Sequence, residues 1–71
     1  MRVKKGRIYR HLDSYYIVIN SSLFPDRGVL VKHISNGNTY IVSTSYFKRH
    51  FKLVPKLKET LLKGIYESIQ T

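Results

Sequence analysis

The sequence predicts a mainly β protein. Five short strands form a small barrel, a single 3₁₀ turn precedes the last strand, and an amphipathic α-helix closes the chain. Three observations predict it. Short apolar runs rich in β-branched and aromatic residues recur between residues 8 and 54, the pattern of strands. Asn36-Gly37 stands between two of those runs. Asn-Gly is the strongest short hairpin signal, because a type I′ turn needs positive φ at both central residues. After Pro55 the period changes, and Leu57, Leu61, Leu62, Ile65, Tyr66 and Ile69 recur at helical spacing.

Residues 1–5 are a short basic arm. Gly6 to Leu12 reads as strand one, with Ile8 and Arg10 on one face and Tyr9 and His11 on the other. Asp13-Ser14 is a tight turn, since both side chains can bond nearby backbone. Tyr15 to Ile19 is strand two. Asn20 to Arg27 is a loop built on Phe24-Pro25-Asp26 turn chemistry. Leu23 and Phe24 are apolar residues in that loop, and either plug a barrel end or mark a protein-contact site.

The central hairpin, Gly28 to Ser43, supplies strands three and four. A two-residue Asn36-Gly37 loop sets the register: Ile34 opposite Thr39, His33 opposite Tyr40, Lys32 opposite Ile41, Val31 opposite Val42. One face then carries Val29, Val31, His33, Tyr40 and Val42, and the other Leu30, Lys32, Ile34, Thr39 and Ile41. Neither is purely polar, as a sheet with one solvated face would be. The mixture predicts a curved sheet or small barrel, or a covered outer face, with the Val29, Val31, Tyr40, Val42 side inward. Ser45 to His50 reads as one tight 3₁₀ turn. Phe51 to Val54 resumes as strand five, and Pro55 ends it and opens a helix over Lys56 to Gln70. Lys63 and Glu67 are spaced as an i, i+4 pair on its exposed side. Gly64 weakens the helix by about 1 kcal/mol relative to Ala. Its apolar stripe needs cover, because so short a helix is marginal alone in water. The barrel is the expected cover, which makes a monomer the expected state; the alternative is a second copy's helix.

This order of elements matches an SH3-like barrel over residues 1–54, with the helix of 55–71 packed on it as part of one domain. The alternative is an open meander with the helix across it. A chain of 71 residues buries only roughly 60% of its unfolded surface, so its core is small. There is no cysteine, which excludes disulfides and thiolate metal sites. No apolar run approaches the ~20 residues of a transmembrane helix. The basic start lacks a following apolar segment, so no signal peptide is expected and a cytoplasmic location is the default.

Residues 5–54 also carry a resemblance. Gly6, Tyr9 and His11, then Tyr15-Tyr16-Ile17-Val18, then Val29-Leu30-Val31-Lys32, then Tyr46-Phe47 ahead of Phe51 resemble small bacterial and phage SH3-like proteins of unknown function. Those share a Gly-x-Tyr-x-His opening, a Tyr-x-Val strand, a hydrophobic third strand and a Phe near the end. The opening here is Gly-x-x-Tyr-x-His. The Trp-x-Arg-Pro segment of that group is replaced by Ile41-Val42-Ser43-Thr44, and the C-terminal helix lies outside the pattern. The resemblance implies the fold and no established activity.

The chemistry points away from an enzyme. His11, His33 and His50 are scattered, with no acidic partner at ligand spacing, so neither a metal nor another cofactor is expected. Asp13, Asp26, Glu59 and Glu67 lie in turns or on the helix, and no pair is set for acid–base work. Charge is more informative. Thirteen Lys and Arg against four acids give a net charge of +9, which favours polyanions. Arg2, Lys4, Lys5, Arg7 and Arg10 cluster at the start, and Lys48, Arg49, Lys52, Lys56 and Lys58 around the last strand. If the first and last strands pair, these ten of thirteen cations merge into one patch; otherwise they are solvated edge residues. Tyr9 and Tyr46 are candidates to stack on bases, while Phe47 and Phe51 read as core plugs. The expectation is a small basic binding module for DNA or RNA. The alternative is a phage- or prophage-type adaptor or inhibitor that docks on an acidic surface of a host protein through Leu23, Phe24 or the helix.

Overall fold

Strand-forming runs and one helical period produce the predicted order of elements in the structure, a computed structural model that describes residues 3–23 and 28–70. The strands are β1 (Ile8–His11), β2 (Ser14–Leu23), β3 (Gly28–His33), β4 (Thr39–Val42) and β5 (Lys52–Leu53); α1 (Thr44–His50) separates β4 from β5, and α2 (Lys56–Gln70) ends the chain. They form one antiparallel sheet in the order β4-β3-β2-β1-β5. The sheet is open, with β4 and β5 as its end strands, and the predicted closure into a barrel is not seen. The end strands are four and two residues long, and the chain between them is α1 rather than a ladder.

Both faces of the sheet are covered, which accounts for the mixed faces of the hairpin. On one face Tyr9, Val18, Val29, Val31, Phe47 and Phe51 form a core, with Phe47 contributed by α1. On the other, Ile8, Ile34 and Val54 form a second core, against which Tyr15, Ile17, Leu62 and Tyr66 pack. Consecutive residues Ile8 and Tyr9 thus point to opposite faces and are both fully buried. The long β2 serves both cores and is bent by register shifts after Val18 and Asn20.

Several boundaries move from their predicted places. The β1–β2 turn is Leu12-Asp13, because His11 pairs with Ser14. Leu12 sits at φ 56° and is the first central residue, a site that ordinarily takes Gly in a type II′ turn. β2 runs on through Asn20 to Leu23, where a loop was expected; Phe24 and the side chain of Leu23 lie outside the described residues. The hairpin register slips by two, to Val31 opposite Tyr40 and Lys32 opposite Thr39. Residues 34–37 form the loop. Gly37 adopts φ 76° and donates its N–H to the His33 carbonyl at 2.9 Å. His33 Nδ1 accepts the N–H groups of Ser35 and Asn36 at 3.1 and 3.3 Å. Ile34 leaves the ladder, bonds the Tyr15 carbonyl at 3.0 Å and enters the second core. A slip of two preserves side-chain facing, so Val29 and Val31 still point inward. The segment before β5 is an α-helix of seven residues rather than a 3₁₀ turn, because the Ser43 hydroxyl caps it by accepting the Tyr46 N–H at 3.2 Å.

α2 begins and ends where its period predicts, but its rotation differs from the predicted one. Glu59 is buried at 6% exposure. Its carboxylate accepts the Arg7 Nε–H and the Ile8 N–H, each at 2.8 Å. Leu62 and Tyr66 lie three and seven residues on, on the same side, and pack on the second core. The apolar arc spans about half of the helix, and among its described residues the part near Glu59 is covered. Leu57, Leu61 and Ile65 are 81%, 67% and 54% exposed. The Ile69 side chain lies outside the described residues.

Burial alone would raise the Glu59 carboxyl. The Arg7 guanidinium and the Ile8 N–H outweigh it, with Lys63 adding to them, and hold the carboxyl below its ordinary 4.5. A depressed folded-state value stabilises the fold fully above the ordinary value and less as pH falls through the folded one. Stability is therefore expected to fall as pH drops below 4.5. Glu59→Gln should cost about 1.5–3 kcal/mol at neutral pH and flatten that acid limb in urea titrations; an unchanged limb would place its origin elsewhere. Leu12→Gly should raise stability by about 1 kcal/mol, since it relieves a positive φ that L side chains resist; a lower thermal midpoint would contradict this.

Candidate nucleic-acid interface

Pairing of the first and last strands carried the expectation of a merged basic patch, and β1 does pair with β5. Arg10 and Lys52 are direct cross-strand partners, and both are exposed. Lys48 and Arg49 are exposed on α1, within four residues of Lys52. Because α1 lies on the opposite face from Ile8 and Arg10, these cations flank the β1–β5 edge from two sides rather than tiling one plane. Lys4 and Lys5 are exposed in the turn before β1. Lys56 and Lys58 are exposed at the start of α2, and Lys58 Nζ lies 5.0 Å from the centre of the Tyr15 ring. Arg2 lies outside the described residues. Arg7 is committed to Glu59, with its side chain 20% exposed.

The two stacking candidates part company. Tyr9 is 1% exposed, with its ring edge-on to Phe47 at 4.7 Å. It is core and cannot meet a ligand, because both faces of the sheet are buried where it stands. Tyr46 is 43% exposed. Phe47 and Phe51 are core, as read, and stack on each other at 4.5 Å.

Tyr46 belongs to a feature that the sequence reading missed. His11, Tyr16, Val31, Tyr40, Ile41, Val42, Tyr46 and Phe51 line an open groove of about 290 Å³. The rings order one another. His11 lies flat on Phe51, with centroids 4.6 Å apart and planes 9° apart. Tyr16 meets Phe51, Tyr40 and His33 edge-on at 5.4, 6.2 and 5.0 Å. Tyr46 sits against His50 at 4.3 Å and shares a hydrogen bond between its hydroxyl and His11 Nε2 at 3.1 Å. The walls, Tyr40 and Tyr46, are each 43% exposed. Each lining residue comes from an element placed by the inner core, so the groove is the open rim of that core between β4 and α1. Strand alternation held part of the signal, since it puts Tyr9 with His11 and His33 with Tyr40; the approach of α1 did not follow from it. Among the described residues no carboxylate lines the groove.

Among the described residues no cluster of His, Asp and Glu could hold a metal ion, and no helix is long and apolar enough to cross a membrane. Compared with known proteins, the chain matches no family model, no curated protein and no solved structure. The SH3-like resemblance therefore rests on the residues quoted for it above.

Tyr9→Ala should lose about 3–5 kcal/mol, enough to unfold much of a small domain. Circular dichroism with a urea titration checks this. A well-folded Tyr9→Ala protein would show that the ring is not core.

Proposed function

We propose that this chain is a small, basic, non-enzymatic module that binds nucleic acid with little sequence preference. The observation that carries the reading is the cation-rich β1–β5 edge next to α1, whose Tyr46 lines an aromatic groove that, among the described residues, has no carboxylate. Arg10 and Lys52 pair across that edge on the face opposite His11 and the groove, and Lys48 and Arg49 lie two and three residues beyond Tyr46 on α1. Phosphates would sit on these four side chains, with Lys4 and Lys5 extending the track. Such contacts supply affinity without reading bases. Of the acids, Glu59 is already paired with Arg7, so it does not offset the field at this edge. The strand order β4-β3-β2-β1-β5, with a helical segment before β5, supports an SH3-like module whose ends have not joined. A nucleic-acid role suits the cytoplasm.

A second reading is favoured by α2. Leu57, Leu61 and Ile65 are exposed beside Lys56 and Lys58, an apolar anchor ringed by positive charge that would fit an acidic face of a partner protein.

Anisotropy titrations at several salt concentrations test the first reading. Affinity for single strands should fall with salt at a slope of about −0.7 per phosphate neutralised. The double variant Arg10→Glu, Lys52→Glu should reduce that slope by about 1.4, two phosphates' worth, with the fold intact. If single-stranded DNA, duplex DNA and RNA all fail to bind at low salt, the first reading is wrong and the acidic-partner reading takes its place.

A further inference from the structure

Resting on the nucleic-acid reading, we infer that the groove between β4 and α1 is a slot for one unpaired base, so that the ligand is single-stranded rather than duplex.

The argument starts from size. At about 290 Å³ the groove lies at the lower end of small-molecule sites, which suits a single ring system and not a folded segment. Its lining is ring-rich, with His11, Tyr16, Tyr40 and Tyr46 at the surface and Phe51 buried beneath His11. The half-exposed rings of Tyr40 and Tyr46 form its walls. The floor is apolar, from Val31 and Val42. This is a stacking platform, and every base has a π-face to offer it. Polar groups lie at the lip, where the Tyr46 hydroxyl and His11 Nε2 already share a hydrogen bond, and the Tyr16 and Tyr40 hydroxyls can donate or accept. The slot therefore accepts a base edge without demanding one identity.

Charge decides among flat or apolar occupants. Extended proline-rich peptides also dock in aromatic-lined grooves, and aromatic cages hold cations. A cationic ligand would enter against a net charge of +9, with no carboxylate among the described residues of the groove to receive it. A base arrives with its own phosphates, and the exposed Lys48 and Arg49 stand on the same helix as Tyr46, with Arg10 and Lys52 at the β1–β5 edge on the other face of the sheet. Arg49 stands three residues after Tyr46 on α1, one turn along the same side, where a neighbouring phosphate can meet it. Bases within a duplex are already stacked and paired, and must be flipped out before they can enter such a slot.

Anisotropy at low salt with three probes of about 12 nucleotides tests the inference: oligothymidylate, an abasic strand of equal charge, and a duplex. Oligothymidylate should bind tighter than either of the others. Tyr46→Ala and Tyr40→Ala should each weaken it by about 5- to 150-fold, equivalent to ~1–3 kcal/mol per base. Abasic and duplex affinities and the salt slope should not change. Tyr46→Phe should restore binding, and thermal melts should show that all variants are folded. Equal affinity for thymidylate and abasic strands, or Tyr variants that weaken all three probes alike, would overturn the slot while leaving phosphate binding in place. Displacement of bound thymidylate by an uncharged proline-rich peptide at low salt would assign the groove to peptide instead. If no probe binds at all, the slot falls together with the reading on which it rests.

Discussion

The Glu59 carboxylate fastens together two parts of the chain that are 52 and 51 residues apart, through Arg7 and the Ile8 N–H. Its effect on the architecture is larger than one ion pair implies. It sets the rotation of α2, and so decides that Leu62 and Tyr66 cover the second core while Leu57, Leu61 and Ile65 stay outside. It also orients the start of β1, where Ile8 and Tyr9 enter the two cores in succession. A carboxylate in the first turn of a helix is favoured by the helix dipole, so one group serves the helix end and the sheet at once. Two lysines reinforce the docking from its edges, Lys58 over Tyr15 and Lys32 over Tyr66.

Functionally, the same fastening subtracts from the basic surface. Arg7 neutralises Glu59 and is not part of the free field. What remains exposed at the β1–β5 edge is Arg10, Lys52, Lys48 and Arg49. The aromatic groove lies on the inner-core face, between β4 and α1. Separation of cations at an edge from rings in a groove goes with a sheet that is covered on both faces, where the exposed rings of Tyr40 and Tyr46 stand at the rim of a core.

Local patterns were legible in the sequence wherever a single element determined them. The five runs and their order, the span of α2 and the inward facing of Val29 and Val31 follow from periodicity alone. Features set by distant contacts were not. Glu59 resembles any solvated helical glutamate until Arg7 is placed beside it. The α2 arc had two possible covered halves, and burial of a charge, rather than hydrophobicity, selected one. Asn36-Gly37 marked the hairpin correctly, but His33 and Ile34 found partners of their own and lengthened the loop. Tyr9 looked available because it stands among the N-terminal cations, and it is buried in the core of one face. Barrel closure was inferred from element order, which an open sheet satisfies equally well.

The open sheet leaves two unequal ends. β5 is two residues long and carries Lys52, so it offers little backbone and a charge against strand addition. β4 is Thr-Tyr-Ile-Val, without charge or proline, and Ile41 is 72% exposed beside it. An uncharged edge of this kind can template a strand from another chain, and among the described residues β4 carries no charge or proline against it. Long-range repulsion between copies carrying +9 each opposes the approach of two such edges. This repulsion reaches about 10 Å at 0.1 M salt and about 3 Å at 1 M. Concentrated salt weakens this repulsion. Colloidal behaviour of this molecule is therefore tied to its excess of positive charge.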